Sequence, residues 1–245
     1  MTLIRNIEKI HLGSRGTYGS PRIYNILKGM GFPCSKTRVE RLMKEFGIKA
    51  KTKRKYRPVT TDSKHKLKVP DNILNRNFSV LSNVEAWAGD ITYIKTEEGW
   101  LYLAVTMDLR TRRVVGWAMS EAIDTELVKS SFLMAYTREK PKPGVLYHSD
   151  RGVQYAAQKF KDILNEGGFI QSMSRKGDCY DNSCVESFFH SLKGEYESFE
   201  KFKTRGEAKT GIFEWIEVFY NRERSHSTLD FMSPENYTKS LKKIS

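Results

Sequence analysis

The chain is poor in cysteine, in acidic residues relative to basic ones, and in long apolar runs, and each shortage closes off a class of protein. Its three cysteines, Cys34, Cys179 and Cys184, form neither a Cys-x-x-Cys pair nor a Cys/His spacing of the kind that holds zinc. An odd number without a framework reads as free thiols in a reducing compartment, so a cytoplasmic location is expected. No apolar run approaches the roughly 20 residues of a membrane span, and the start MTLIRNIEKI lacks the apolar stretch of a secretion signal. Internal repeats are absent as well. Asp and Glu number 29 against 42 Lys and Arg, a net charge of +13. A surplus of that size favours a polyanionic partner, because each phosphate contact made by Lys or Arg releases counterions. What the chain does have is aromatic bulk, with 13 Phe, 12 Tyr and 4 Trp, enough for a sizeable core in one large or two modest domains.

The first 48 residues read as a small helical domain. One helix is expected from about Leu3 to His11. A second starts at Ser20-Pro21, a cap followed by Pro at the first helical position, and carries Ile23, Ile26, Leu27 and Met30 on one face. After the turn GMGFPC, Ser35 caps a third, with Val39, Leu42, Met43 and Phe46 inward and Gly47 placed to close it. Two short amphipathic helices joined by a Gly-containing turn match the helix-turn-helix plan. The outward positions Lys36, Arg38, Arg41 and Lys44 suit a recognition helix, and equally a solvated face. Residues 49–76 form a basic linker. Between Lys49 and Lys68 it holds nine Lys or Arg against one Asp, Lys53, Arg54 and Lys55 among them, a composition suited to a phosphate backbone.

Residues 77–245 change pattern. "GDITYI", "WLYLAVTMDL" and "VVGWAMS" read as three strands, followed by a helix over Thr125 to Arg138 and a strand in "GVLYHSD". A helix near Gln154 to Asn165, a fifth strand in "GFIQSMS" and a helix in "SCVESFFHSLK" complete the order. Strand, strand, strand, helix, strand, helix, strand, helix predicts a mixed five-stranded sheet with helical crossovers. One more helix is expected over Phe213 to Tyr220 and a short one over Pro234 to Tyr237.

Three acids have chemistry-bearing positions. Asp90 lies in an apolar strand, where a carboxylate without a partner is costly. Asp150 follows the fourth strand, at the carboxyl end where ligands bind in α/β sheets, although a helix cap accounts for it equally well. Glu186 opens a helix whose Val185, Phe188, Phe189 and Leu192 face a core. With Ser183 it spells a capping box, and with His190 and Lys193 it forms a second stripe beside the apolar one. Between Asp150 and Glu186 lie 35 residues. Asp108 belongs to a strand-ending turn, and neither His148 nor the other histidines and cysteines suggest a metal role.

This D…D-35-E pattern resembles the DDE transposases and retroviral-type integrases. More closely, the chain is similar to the second-frame (OrfB-type) transposases of the bacterial IS-three family. The likeness runs in order through "RGTYGSPRIY", "GDITYI", "GWLYLAVTMDLRTRRVVGWAM", "YHSDRGVQY", "SMSRKGDCYDNSCVESFFHSLK", "IFEWIEVFYNRERSHSTL" and "SPENY". It implies an α/β, RNase H-like integrase core behind a helix-turn-helix, with Asp90, Asp150 and Glu186 as the catalytic and metal-binding triad. Two Mg²⁺ ions, replaceable by Mn²⁺, would sit about 4 Å apart and stabilise the attacking and leaving oxygens of a phosphodiester exchange. Two carboxylates some 4 Å apart repel by about 4 kcal/mol at an effective dielectric of 20, so such a cluster is kept for the ion. His190 and Lys193 would face DNA beside the metals, and Lys36, Arg38, Arg41, Lys53, Arg54 and Lys55 would contact it elsewhere. The implied partners are double-stranded DNA, as terminal inverted repeats and target, and further copies of the chain.

Two features depart from that pattern. Gly89 stands where Thr is usual, and a Pro often found upstream of Trp87 is absent. The helix-turn-helix and leucine-zipper portion supplied by a first reading frame is also missing, which identifies the first-frame protein, or a fusion with it, as an expected partner. The reaction expected is metal-dependent cleavage at the ends of an insertion sequence and joining of the freed 3′-hydroxyl to target DNA. A non-catalytic DNA-binding regulator of the full-length transposase is the alternative. A ribonuclease of the same fold would account for the core and leave the helix-turn-helix unexplained.

Overall fold

A computed structural model describes residues 3–51, 67, 69–74, 85–175, 182–197 and 202–244. The chain divides into two compact units. One comprises Met1–Tyr56, Leu192–Glu200 and Glu217–Ser245; the other comprises Arg57–Ser191 and Lys201–Ile216.

In the first unit, α1 (Leu3–Gly13), α2 (Ser20–Gly29) and α3 (Lys36–Glu45) follow the expected plan. Ile7, Ile23, Leu27, Val39 and Met43 are buried, whereas Met30 and Phe46, expected on the inner faces, are exposed because they stand at the C-caps where α2 and α3 end. The cap of α3 is as expected, with Ser35 Oγ accepting from the Arg38 amide at 3.2 Å. At α2 the cap differs. Gly19 occupies the cap position without a side-chain bond, and Ser20 is already helical, its hydroxyl donating to Glu40. Pro21 in the first turn still pre-sets the helical φ, so the start hardly moves.

The carboxyl-terminal part of this unit, including α9 (Pro234–Ile244), is joined to these helices by a buried polar cluster. Arg224 grips Glu195 with two bonds, Nε to Oε2 at 2.8 Å and a second nitrogen to Oε1 at 2.6 Å. Arg22 stands 3.9 Å from the same carboxylate, and the Tyr18 hydroxyl accepts from the Ser225 amide at 2.7 Å. The Arg15 guanidinium lies over the rings of Tyr196 and Phe219.

The second unit is built on the mixed sheet that the element order predicted. It contains β1 (Ala86–Thr96), β2 (Gly99–Asp108), β3 (Val114–Ser120), β4 (Leu146–Ser149) and β5 (Ile170–Met173), in the spatial order β3-β2-β1-β4-β5. β1, β2 and β3 pair antiparallel, whereas β4 and β5 join in parallel after helical crossovers. β2 is buried on both faces over Leu103–Met107, as a strand sandwiched between helices must be. The first crossover, α4 (Thr125–Glu139), lies so close to β3 that a Cβ at Gly116 would stand 2.2 Å from the Ser131 carbonyl oxygen. Beneath it Phe132 packs edge-on to Trp87, Tyr147, Phe160 and Phe169.

Two elements differ from the periodicity. The helix expected near Gln154 to Asn165 is two, α5 (Val153–Ala156) and α6 (Gln158–Glu166), because Ala157 is extended with ψ 138°. The helix expected from Phe213 begins earlier, as α8 (Arg205–Glu214), where Thr204 and Glu207 form a reciprocal capping box, and continues into a π-helical stretch, Trp215–Glu223. α7 (Ser183–Leu192) carries the apolar stripe of Val185, Phe188, Phe189 and Leu192, all buried. Among the described residues no helix is long and apolar enough to cross a membrane. Cys34 and Cys184 are free thiols, and Cys179 lies outside the described residues.

Candidate active site

The topology brings Asp90 and Asp150 alongside one another. β1 and β4 run parallel with Gly89 opposite Ser149, so the next residue on each strand is an aspartate. β4 ends there, while β1 continues to Thr96 paired with β2. The two carboxylates thus emerge at the carboxyl edge of the parallel pairing, the position at which α/β sheets bind ligands. Each is oriented locally: Asp90 Oδ1 accepts from the Ile91 amide at 2.8 Å, and Asp150 Oδ1 from the Gly152 amide at 2.9 Å. The second bond is an Asx turn that leads into α5. A Cβ at Gly152 would stand 3.0 Å from that same carboxylate oxygen, so a small residue keeps the turn tight.

The floor beneath the acids is aromatic and neutral. Gly89 faces Tyr147 so closely that a Cβ there would stand 2.2 Å from the phenol oxygen and 2.9 Å from Cζ. The departure from Thr at this position therefore has a steric cause, since Tyr147 fills the space a side chain would need. Tyr147 Oη lies 3.4 Å from Thr106 Oγ1, which lies 3.0 Å from Ser131 Oγ, a buried polar string running from the strand to α4. Burial pushes the Tyr147 phenol up, and the Asp90 charge adds to it. Tyr155 is pushed well above its ordinary value by burial first, then by Tyr147, Asp90 and Asp150. Both phenols stay neutral in the working range, and both feel the carboxylates beside them.

Glu186 lies on α7. It is exposed in the first turn, as is His190 one turn on, while the apolar stripe beside them is buried. Asn182, immediately before α7, donates through Nδ2 to the Gly89 carbonyl at 3.3 Å and so fastens the start of the helix to the strand one residue before Asp90. No local sequence signal pointed to Asn182, because an Asn at a helix start reads as a cap. Among the described residues no three His, Cys, Asp or Glu side chains stand together closely enough to hold a metal ion. The structure therefore pairs the two aspartates and tethers the helix of Glu186 beside them, without closing the three into one cluster.

The other expected positions are distributed as follows. Lys193 is half-buried in the π-helical turn Lys193–Glu197 that continues α7. Lys36, Arg38 and Arg41 are exposed on α3, Lys36 within 3.8 Å of Glu40. Lys53, Arg54 and Lys55 lie outside the described residues. Asp108 caps the β2–β3 turn, accepting from the Arg110 and Thr111 amides at 2.8 and 3.0 Å. His148 is fully buried, with Nδ1 2.9 Å from Ser172 Oγ and Nε2 3.1 Å from Ser174 Oγ, so both ring nitrogens are engaged in packing β4 against β5.

Integrase core domain models match residues 83–179 and 168–234, and an HTH-like domain model matches residues 1–56. The transposase InsF for insertion sequence IS3A of Escherichia coli (strain K12) is 42% identical over 224 residues, 91% of this chain and 77% of the relative. The transposase for insertion sequence element IS904 of Lactococcus lactis is 39% identical over 237 residues, covering 97% and 93% of the two chains. An insertion element IS600 31 kDa protein of Shigella sonnei is 43% identical over 228 residues, 93% and 84%. Among solved structures, the catalytic core domain of HTLV-2 integrase in complex with magnesium is similar at 16% identity and a TM-score of 0.47, over 62% of this chain and 95% of that one. With 39–43% identity along nearly its whole length, the chain belongs to the IS3 family of insertion-sequence transposases, DDE enzymes built on an integrase core.

Proposed function

We propose that Asp90, Asp150 and Glu186 are the catalytic residues of this transposase and together hold two divalent cations, Mg²⁺ or Mn²⁺. The observation that carries the reading is the register of β1 and β4, which sets Asp90 beside Asp150 at the carboxyl edge of a parallel pair. The donor set fits the ions. All three groups are hard oxygen donors, which Mg²⁺ and Mn²⁺ prefer, and the neutral tyrosine floor adds no competing charge. When bound, the ions supply charge stabilisation to the attacking and leaving oxygens of an in-line displacement.

The chain's own residues position the rest. Glu186, exposed on α7, completes the set, and His190 and Lys193 along the same stripe contact the DNA beside it. Lys36, Arg38 and Arg41 on α3, with Lys53, Arg54 and Lys55 beyond, engage phosphates of the double-stranded element ends. The 3′-hydroxyl freed at an element end attacks a target phosphorus as the target's own P–O bond breaks, with no covalent protein intermediate. Residues 1–48 serve DNA binding, 49–76 link, and 77–245 carry the catalytic core. The enzyme acts as a homo-oligomer in the bacterial cytoplasm, with the first-frame protein or its fusion as partner.

A nicking and strand-transfer assay on end-containing DNA with Mg²⁺ or Mn²⁺ tests this. Wild type gives metal-dependent product, whereas Glu186→Gln binds DNA equally well and gives product reduced about a thousand-fold, the equivalent of several kcal/mol of lost transition-state stabilisation. Binding without product from wild type, even with the first-frame protein added, would favour the regulator.

A further inference from the structure

Asn182 directly precedes α7 and does not bond as a cap would. A capping Asn accepts, through its side-chain oxygen, from an amide in the first turn of its own helix. Here Asn182 Oδ1 is buried with no hydrogen-bond partner among the described residues, and Nδ2 reaches back 93 residues to donate to the Gly89 carbonyl at 3.3 Å. The residue is only 5% exposed. Its side chain therefore serves a contact between α7 and β1, and leaves an acceptor unsatisfied inside the protein, which is a costly arrangement unless another state uses it.

The location explains the bond that Nδ2 makes. Gly89 precedes Asp90, and Asn182 precedes Glu186 by one helical turn, so one amide links the backbone of the strand that carries the first acid to the base of the helix that carries the last. Gly89 itself is set within the sheet, opposite Thr106 on β2 and Ser149 on β4. We infer that Asn182 is the positioning residue for Glu186, clasping α7 to β1 at Gly89. This rests on the reading of Asp90, Asp150 and Glu186 as the metal-binding set. Residues that orient ligands from behind are worth about 10–100-fold in metal affinity, and that is the size of effect expected.

Mn²⁺ binding to the full chain, followed by the paramagnetic signal of the free ion, tests the assignment in a readout separate from turnover. Asn182→Ala weakens Mn²⁺ about tenfold or more, and Asn182→Leu, which keeps the volume and the packing, does the same while thermal unfolding stays cooperative. Glu186→Gln weakens it too, and Asn182→Ala added to Glu186→Gln weakens it no further, because the clasp acts through the acid. Wild-type affinity in both Asn182 variants, or losses that add in full to that of Glu186→Gln, would overturn the inference while leaving the triad intact. Unaltered affinity in Glu186→Gln would instead remove the site reading itself, and the role of Asn182 with it.

Discussion

Glu195 and the pair Asp90/Asp150 show two uses of an acid in one chain. Glu195 is gripped by the fork of the nearly buried Arg224, with Arg22 close behind. Burial alone would drive the Arg224 charge out, yet Glu195 outweighs it and holds the guanidinium above its ordinary value. That carboxylate's bonding capacity is committed to joining the amino-terminal helices with the carboxyl-terminal segment. Asp90 and Asp150 instead receive one backbone amide each at the edge of a parallel pair, over phenols that stay neutral. A fork that closes on an acid joins two segments of the chain; an amide beside an acid at the edge of a strand pair orients it where α/β sheets bind ligands. The comparison teaches that the residue type is shared and the partner decides the role.

The contrast breaks most sharply at Glu195. Glu195→Ala strands a buried guanidinium, and a loss of about 3–5 kcal/mol is expected in urea unfolding. The Glu186→Gln variant should unfold at the wild-type midpoint, so equal losses in the two would erase the distinction. A middle-sized effect is expected at Gly89. Gly89→Ala forces the new Cβ against the Tyr147 phenol and costs about 1–3 kcal/mol. Adding Tyr147→Phe removes the nearest atom and recovers part of that cost in the same measurement; no recovery would mean that the strand and not the phenol objects.

Asp108 gives the smallest effect and sharpens the rule through pH. Burial pushes its carboxyl up, against the Thr111 and Arg110 amides and the Arg113 charge. Because the folded form binds the proton more tightly than the unfolded one, stability falls as pH rises from the ordinary Asp range through the raised folded value, and the cost is present in full above it. Glu85, raised by burial and then by Asp108, shares that cost. Asp108→Asn keeps an acceptor for the turn without titrating. It should exceed wild type by about 0.5–1 kcal/mol at neutral pH, and the gap should close as pH falls below the window. A gap independent of pH would show that the amide, not the lost charge, accounts for it.

Much of this was legible from residue order. The apolar stripes of α2, α3 and α7 and the run Leu101–Met107 repeat at intervals of one turn or one pleat, so each declares its own buried face. Legibility ended where a residue answers to something distant. The break at Ala157 that divides α5 from α6 carries no Gly or Pro signal. Gly89 stood out only as a departure from Thr, whereas Tyr147 leaves it no room for a side chain. Asn182 carried no signal of its own, because its partner is a carbonyl on a strand far back in the chain.

Sequence alone determined which elements form, their order and the mixed character of the sheet, because periodicity, turn chemistry and spacing are local properties. Only the tertiary structure decided that Asp90 and Asp150 are neighbours, that a tyrosine floor lies beneath them, and that residues 217–245 join 1–56 in one unit. Those outcomes depend on which strands pair and which side chains meet, and such choices are settled by packing between segments that no short window contains.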